Sequence, residues 1–429
     1  MNFGRFLRKV TLIRDRNLYR TYSGILKMQG VRRSKRIRDH LEVSVDDIKQ
    51  EADIKSKYFK TEEDTSVKLE PVIKEEFSPI PEDDVDTDWV KLLDNKPYFE
   101  WISKRTSDNI KDWSRTLDLN IFTDNSKEVI PDNFIPIYSK VRLMRSKIRT
   151  PVDTVGCAML PITVGKESGI EKEDILPINY RLQVLIGVML SSQTKDEINA
   201  AAMHNITEYC INELEIPEGI TIDALLEIDQ EILDELIHSV GFHSRKAKYL
   251  KETALILKEK HNSDIPTNIE GLLALPGVGP KMGYLTLQKA WGKIDGICVD
   301  VHVHRLAKMW KWVDEKKCKT PEHTRKELES WLPRQLWYEI NSVLVGFGQV
   351  ICMSRGKRCD ICLANDVCNA RDKKLVNKGI NMELEGGDGR AKTTRGDYSE
   401  LLQYIKEENG KLKIEFEQII EETRIKSEF

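Results

Sequence analysis

Residues 272–285 read LLALPGVGPKMGYL, and the punctuation of this stretch decides the fold. An apolar helical pattern over 268–275 meets Pro276, which cannot continue a helix. Gly277-Val278-Gly279 then makes a turn too tight for side chains, and Pro280, whose missing N–H is harmless at a first helical position, opens a second helical pattern running to Trp291. The reading is a helix-hairpin-helix. Its two glycines let backbone N–H groups approach a phosphate, and the positive end of the following helix helps to hold it, so contact is with a nucleic-acid backbone and independent of sequence. Gly277 and Gly279 are therefore candidate DNA-binding residues.

Working outward, apolar residues recur at three and four over Tyr180–Met189, Asp223–Val240, Ser244–Lys258, Asn268–Leu275, Lys281–Trp291, Asp300–Trp310 and Pro321–Trp331. Few strand patterns compete, which predicts an all-α fold. A chain of 429 residues is long enough for two or three units plus linkers. No apolar run approaches the roughly 18 to 20 residues that a spanning helix needs, so no membrane partner is expected.

Charge is segregated. The formal net charge is -3, yet residues 1–38 carry 12 Lys/Arg against the single acid Asp15, and Asp39–Asp88 carry 17 acids against 6 lysines. Residues 1–30, rich in Arg and nearly free of acid, have the character of a mitochondrial presequence; the alternative is a basic tail touching DNA. Arg32, Arg33, Lys35, Arg36 and Arg38 form a cluster of the nuclear-localisation or nucleic-acid type, and a start at Met28 would remove the presequence and keep the cluster. The expected destinations are nucleus and mitochondrion. Residues 31–133 read as this cluster followed by an acidic, disordered linker with one short helix around Trp89, Tyr98, Phe99 and Trp101, and 375–429 as a charged tail. The apolar-Lys-x-Glu patterns at 48–51, 67–70, 73–76, 405–408 and 425–428 resemble SUMO acceptor sites, mostly by chance in a Lys/Glu-rich chain. Within the globular part, Arg245, Lys246, Lys248 and Lys251 concentrate positive charge in one short stretch, where placement rather than net charge would serve DNA.

Four of the eight cysteines, Cys352, Cys359, Cys362 and Cys368, crowd into one short loop. Such crowding reads as metal ligation in a reducing compartment. Generic chemistry leaves tetrahedral zinc and a [4Fe-4S] cluster both open. The loop also holds Arg355, Lys357 and Arg358, which suits phosphate binding. Lys281 follows the hairpin directly. The helix end, desolvation under DNA and neighbouring cations would all favour its neutral, nucleophilic amine, although a lysine here could simply pair with phosphate. Asp300 stands as the N-cap of the next helix.

Taken together, LSSQTKD (190–196), VGFHSRKAKYL (240–250), LPGVGPKMG (275–283), VDVHVHR (299–305), LVGFGQ (344–349) and the four cysteines resemble, in order, the endonuclease III family over roughly Tyr138–Lys374, with a close match to its eukaryotic thymine-glycol branch. The resemblance implies a [4Fe-4S] cluster on the four cysteines and two lobes: a helical lobe, 175–296, with the hairpin, and a cluster lobe made of 134–174 and 297–374. Damaged double-stranded DNA would cross the cleft between them, bound by a monomer. Lys281 would attack C1′ of the damaged nucleotide and Asp300 would stabilise charge and move protons, giving base loss and β-elimination through a Schiff base. Gln193 resembles the residue that enters the gap left by a flipped base, and Phe242 or His243 falls where a wedge meets the opposite strand. Lys246 and His302, inside the same motifs, complete the expected DNA-binding set. The chain departs from the family at Val301, where a Thr is common; if that hydroxyl helps hold the cap, activity would be reduced. Two alternatives share the scaffold. An adenine-mismatch glycosylase normally lacks the lysine and carries a further C-terminal domain, and a catalytically silent DNA-binding protein would need neither Lys281 nor Asp300.

Overall fold

The computed structural model describes residues 85–106, 113–122, 129–379, 392–393 and 396–408. The segment 1–30, the basic cluster at 32–38 and the acceptor-like motifs at 48–51, 67–70, 73–76 and 425–428 lie outside these residues. In chain order the helices are α1 (Thr87–Lys91), α2 (Asn95–Thr106), α3 (Phe134–Arg145), α4 (Pro151–Thr154), α5 (Leu160–Glu167), α6 (Pro177–Leu190), α7 (Asp196–Asn212) and α8 (Ile222–Glu227). They continue with α9 (Gln230–Leu236), α10 (His243–Lys260), α11 (Ile269–Leu273), α12 (Pro280–Trp291), α13 (Val301–Met309), α14 (Pro321–Trp331), α15 (Trp337–Val350) and α16 (Lys373–Lys378). Among the described residues the one sheet is an antiparallel ribbon of β1 (Lys392–Thr393) and β2 (Gly396–Asp397), and no helix is long and apolar enough to cross a membrane.

Two apolar cores organise these helices. The first is built on α6, buried at every position from Tyr180 to Leu190; a helix apolar on all sides must be enclosed, and α6 is enclosed by α5, α7, α10 and α12. Arg181 and Gln183 are the buried polar exceptions, Gln183 donating to the Ile220 carbonyl at 3.0 Å and Arg181 carrying a charge. Arg181 makes a two-pronged ion pair with Asp264 at 3.0 and 2.6 Å, and its guanidinium lies over the rings of Trp291 and Tyr98. The second core gathers α3, α13, α14 and α15 around an aromatic group of Phe134, Tyr138, Trp310, Trp312 and Trp331.

Four boundaries differ from the sequence reading. The expected linker contains α1 and α2, and Tyr98, Phe99, Trp101 and Ile102 are buried in the first core; the Tyr98 hydroxyl donates to the Ala290 carbonyl at 2.7 Å. The aromatic stretch is thus a packing face for the hairpin's second helix. Within the expected cluster lobe, α5 belongs to the first core through Leu160 and Val164. In the expected tail, Tyr398, Leu401, Leu402 and Ile405 are buried in the second core, and Asp397 pairs with Arg149 through backbone hydrogen bonds. Finally, the helix expected over Asp223–Val240 breaks in two at Ile228–Asp229. Lys251 of α10 explains the break, since its ammonium takes the freed carbonyls of Leu225, Leu226 and Ile228.

Candidate active site

The hairpin folds as its sequence dictates. Helix α11 ends at Leu273, Val278 closes the turn onto the Leu275 carbonyl at 3.2 Å, and α12 starts with Pro280 as its first residue. The two glycines have different reasons to be there. Gly277 has φ +74, and a Cβ there would meet the Tyr249 ring at 2.3 Å. Gly279 is extended, and a Cβ there would meet nothing within 4 Å. The first is glycine for packing and backbone conformation; the second leaves open space beside the first-turn N–H groups of α12, which have no intrahelical acceptors.

Lys281, in the first turn of α12, lines a broad open cleft together with Asp300, Gln193, His302, Asp196 and Cys157. Asp300 caps α13 as read from the sequence, its carboxylate accepting the Val303 N–H at 2.8 Å. Val301 projects into solvent, 71% exposed. The bond that fixes Asp300 comes from the Val303 backbone, so the missing threonine hydroxyl is not part of that cap.

The electrostatics of Lys281 run against the expected lowering. Burial favours its neutral amine, but Cys157, Cys298, Asp300 and Asp196 favour the ammonium more, and the net direction is upward. Burial pushes the Cys298 thiol up to about 12 and raises Cys157 as well. Both thiols are therefore neutral near pH 7, where the anions that face Lys281 are the carboxylates of Asp300 and Asp196. Asp196 was not singled out in the sequence. It opens α7 from the first core and receives the Gln349 amide of α15 from the second, at 2.8 Å. Burial raises its pKa. Its only sequence signal was a carboxylate at a helix start, which usually means a stabilised terminus.

Gln193 is exposed, in the turn between α6 and α7, with φ +52. Phe242 is 57% exposed and also left-handed, φ +59, immediately before α10. The two turns touch: a Cβ on Gly241 would meet the Gln193 carbonyl at 2.9 Å. His243 separates from this pair, because its Nδ1 is engaged by the Asp234 carboxylate at 2.5 Å. Phe242 is thus the freer of the two candidate wedges. His302 lines the cleft with Nδ1 buried and without a hydrogen-bond partner, and burial lowers its pKa.

Lys246 requires a correction. Expected to contact DNA, it is buried, and its ammonium donates to the carbonyls of Leu190 and Ser192 at 2.7 Å each and to Thr194 Oγ1 at 3.2 Å. Lys251 is likewise consumed inside the protein, and Lys248 pairs with Glu252. Of that basic stretch, Arg245 and Lys248 remain exposed, the Arg245 guanidinium over the Phe242 ring. In the cysteine loop, Arg355 is exposed on the cleft, whereas Arg358 pairs with Asp360 and Lys357 lies against Met309.

Cys352, Cys359, Cys362 and Cys368 line one small cavity with Met309, Trp310 and Phe347. The Asp372 N–H donates to Cys359 Sγ at 3.4 Å, and Arg305 donates to the Cys352 carbonyl at 2.6 Å. Four thiols, an apolar wall and one N–H donor to sulfur suit a cluster by composition, although no group of three or more Cys, His, Asp or Glu among the described residues stands close enough to hold a metal ion.

Comparison with known proteins agrees with this geometry. Residues 186–334 match the family model of the HhH-GPD superfamily base excision DNA repair protein. Endonuclease III homolog 2 of Saccharomyces cerevisiae is 55% identical over 351 residues, covering 82% of this chain and 91% of that protein. Endonuclease III homolog 1 of the same yeast is 57% identical over 282 residues, covering 66% of this chain and 70% of that protein. Endonuclease III-like protein 1 of Mus musculus is 43% identical over 240 residues, covering 56% and 73%. With more than four-fifths of each chain aligned to a relative at this identity, the chain belongs to the endonuclease III family of base excision DNA repair enzymes, the DNA glycosylases and AP lyases.

Proposed function

We propose that this enzyme binds damaged double-stranded DNA, removes oxidised pyrimidines such as thymine glycol, and cleaves the strand 3′ to the resulting abasic site through a Schiff base on Lys281. The observation that carries the reading is the shared cleft of Lys281, on the helix after the phosphate-binding hairpin, and Asp300, fixed by its own helix cap. The Lys281 amine forms a bond to C1′ as the glycosidic bond breaks, and the base leaves with that electron pair and takes up a proton; the C1′–O4′ bond then opens, O4′ takes up a proton, and the nitrogen lone pair completes the C1′=N Schiff base. Asp300 offers a held carboxylate to accept protons from the amine and to face positive charge at C1′. Loss of the C2′ proton then expels the 3′ phosphate. Gln193 fills the space of the extruded nucleotide and Phe242 wedges beside the opposite strand.

The four cysteines would hold a [4Fe-4S] cluster, which when bound ties their loop and Arg355 into a fixed phosphate-facing shape. The adenine-mismatch and silent-scaffold alternatives lose ground to the simultaneous presence of Lys281 and Asp300 in one cleft. Borohydride trapping on duplex DNA containing thymine glycol tests the proposal: wild type yields a covalent adduct and Lys281→Gln none, and adduct formation by Lys281→Gln at the wild-type level overturns it.

We further propose action as a monomer in nucleus and mitochondrion, on the charge pattern of residues 1–38. A reporter carrying residues 1–30 should enter mitochondria, and a chain starting at Met28 should favour the nucleus; diffuse signal from both refutes the assignment. Attachment of SUMO at one of the apolar-Lys-x-Glu lysines is a weaker proposal. Mass spectrometry of tryptic peptides from cells expressing the protein would show the branched remnant or leave the motifs as chance.

A further inference from the structure

Two residues proposed to enter DNA, Gln193 and Phe242, both hold left-handed backbone conformations that side-chain-bearing residues avoid. A turn of this kind persists only where its surroundings over-determine it. At Gln193 the turn has its own bonds, Thr194 N–H to the Ser191 carbonyl and Thr194 Oγ1 to the Ser192 carbonyl at 3.2 Å each, and one residue from another helix adds three more. The Lys246 ammonium reaches from α10 to the Leu190 and Ser192 carbonyls and Thr194 Oγ1, flanking Gln193 on both sides in the chain. The same residue's backbone N–H donates to the Phe242 carbonyl at 3.0 Å, in the first turn of α10. Between the two turns, the Gly241 backbone lies so close to the Gln193 carbonyl that a Cβ would approach it to 2.9 Å.

Resting on the reading that Gln193 and Phe242 enter the DNA, we propose that Lys246 is a positioning residue that locks the two into one preassembled gap-filling unit before DNA arrives. All three ammonium hydrogens have acceptors inside the protein, and the side chain is buried. This charge therefore serves the shape of the turn, not a phosphate. The benefit is entropic: two probe residues on separate loops enter the duplex with no ordering left to do at that moment. It also follows that Lys246 acts only where a second strand is present to be held open.

The discriminating experiment compares cleavage of an abasic site in duplex and in single-stranded DNA by Lys246→Met, Lys246→Arg and Thr194→Val. For Lys246→Met the expected result is a loss of kcat/KM on duplex on the order of tenfold, with single-stranded cleavage staying within about threefold of wild type. Lys246→Arg should recover part of the loss, because its N–H groups can still reach carbonyls. Thr194→Val, which removes one Lys246 acceptor and the Thr194 Oγ1 bond to the Ser192 carbonyl but no charge, should shift the duplex-to-single-strand ratio in the same direction by a smaller factor. Equal losses on both substrates would overturn the proposal, as would a fall of about one in the salt slope of duplex binding, the mark of a lost phosphate contact. Should Lys246→Met fail to fold, an unchanged ratio in Thr194→Val counts against the proposal. Gln193→Ala separates the two levels. If it leaves duplex cleavage at the wild-type rate, the gap-filling role itself fails; if it reduces the rate, adding Lys246→Met to a Gln193→Ala/Phe242→Ala variant should cost no further activity, since both residues that Lys246 positions are already gone.

Discussion

Substituting the hairpin glycines one at a time should separate folding from phosphate binding, because the two positions pose opposite physical problems. Gly277→Ala places a Cβ 2.3 Å from the Tyr249 ring on a backbone with φ +74. The left-handed conformation costs about 1–2 kcal/mol for a residue with a Cβ, and forcing the ring aside adds about 1–3 kcal/mol. The sum, about 2–5 kcal/mol, corresponds to a Tm drop of roughly 4–10 °C for a chain of this size. Gly279→Ala has an extended backbone and no atom within 4 Å of its Cβ. The loss of a favoured cap residue, about 0.5–1 kcal/mol, is offset by a similar reduction in unfolded-chain entropy, so Tm should stay within about 2 °C. Its methyl group does, however, occupy the space through which a phosphate reaches the α12 N–H groups. Losing a hydrogen bond to a charged group, worth about 1.5–3 kcal/mol, weakens binding roughly ten- to hundredfold, with no change in salt slope because no cation is removed. Thermal denaturation together with fluorescence anisotropy on duplex DNA carrying a reduced abasic site measures both quantities. Wild-type affinity in Gly279→Ala, or a Tm loss as large as that of Gly277→Ala, would refute the division of roles.

Lys281→Gln should bind lesion DNA almost as tightly as wild type while turnover falls below about one-thousandth; Asp300→Asn should lose base excision but still open a preformed abasic site slowly, since that substrate offers an aldehyde already. Asp264→Ala should destabilise the protein by about 3–5 kcal/mol by leaving Arg181 buried without its partner, a loss visible in urea denaturation; a change under about 1 kcal/mol would show that the pair is dispensable. Purified protein should be yellow-brown with about four irons per chain, and Cys362→Ser should lose both colour and duplex affinity; colourless wild type with stoichiometric zinc would end the cluster assignment. Asp196 raises the Lys281 pKa, so Asp196→Asn should lower it, and borohydride trapping on a preformed abasic site should reach its plateau at lower pH than in wild type; a plateau moved to higher pH contradicts the electrostatic account.

What the sequence revealed follows from how local each signal is. The hairpin, the cap at Asp300 and the cysteine loop are written in contiguous residues whose chemistry has few uses, and α12, α13 and α14 fall within a residue or so of their apolar periods. The misreadings concern residues whose partners are distant in the chain. Lys246 and Lys251 look like surface charge until the carbonyls 23 to 56 residues away that they serve are brought beside them. Tyr98 and Trp101 sit in an acidic, Pro-containing stretch and look like linker until their receiving surface, Ala290 and Gly292 at the end of α12, is in place. Asp196 carries no signal in isolation, because its importance lies in Gln349, which the other core supplies.

The charge state of Lys281 joins two roles that the sequence set against each other. In the free cleft the ammonium is favoured, with Asp300 and Asp196 as its anions and both nearby thiols neutral. A lysine in that state attracts phosphate, as a residue after a phosphate-binding hairpin ordinarily would. On the proposed mechanism it must then shed a proton before it can bond to C1′. Docked DNA favours this step by excluding water from the cleft, since desolvation penalises the ammonium. Phosphates near the amine oppose it. The site therefore needs carboxylates whose orientation is fixed before the proton moves, and both are fixed by hydrogen bonds from the protein: Asp300 by the Val303 N–H, Asp196 by the Gln349 amide. Phosphate pairing and nucleophilic attack are then successive states of one residue, separated by the entry of the damaged nucleotide and the loss of one proton.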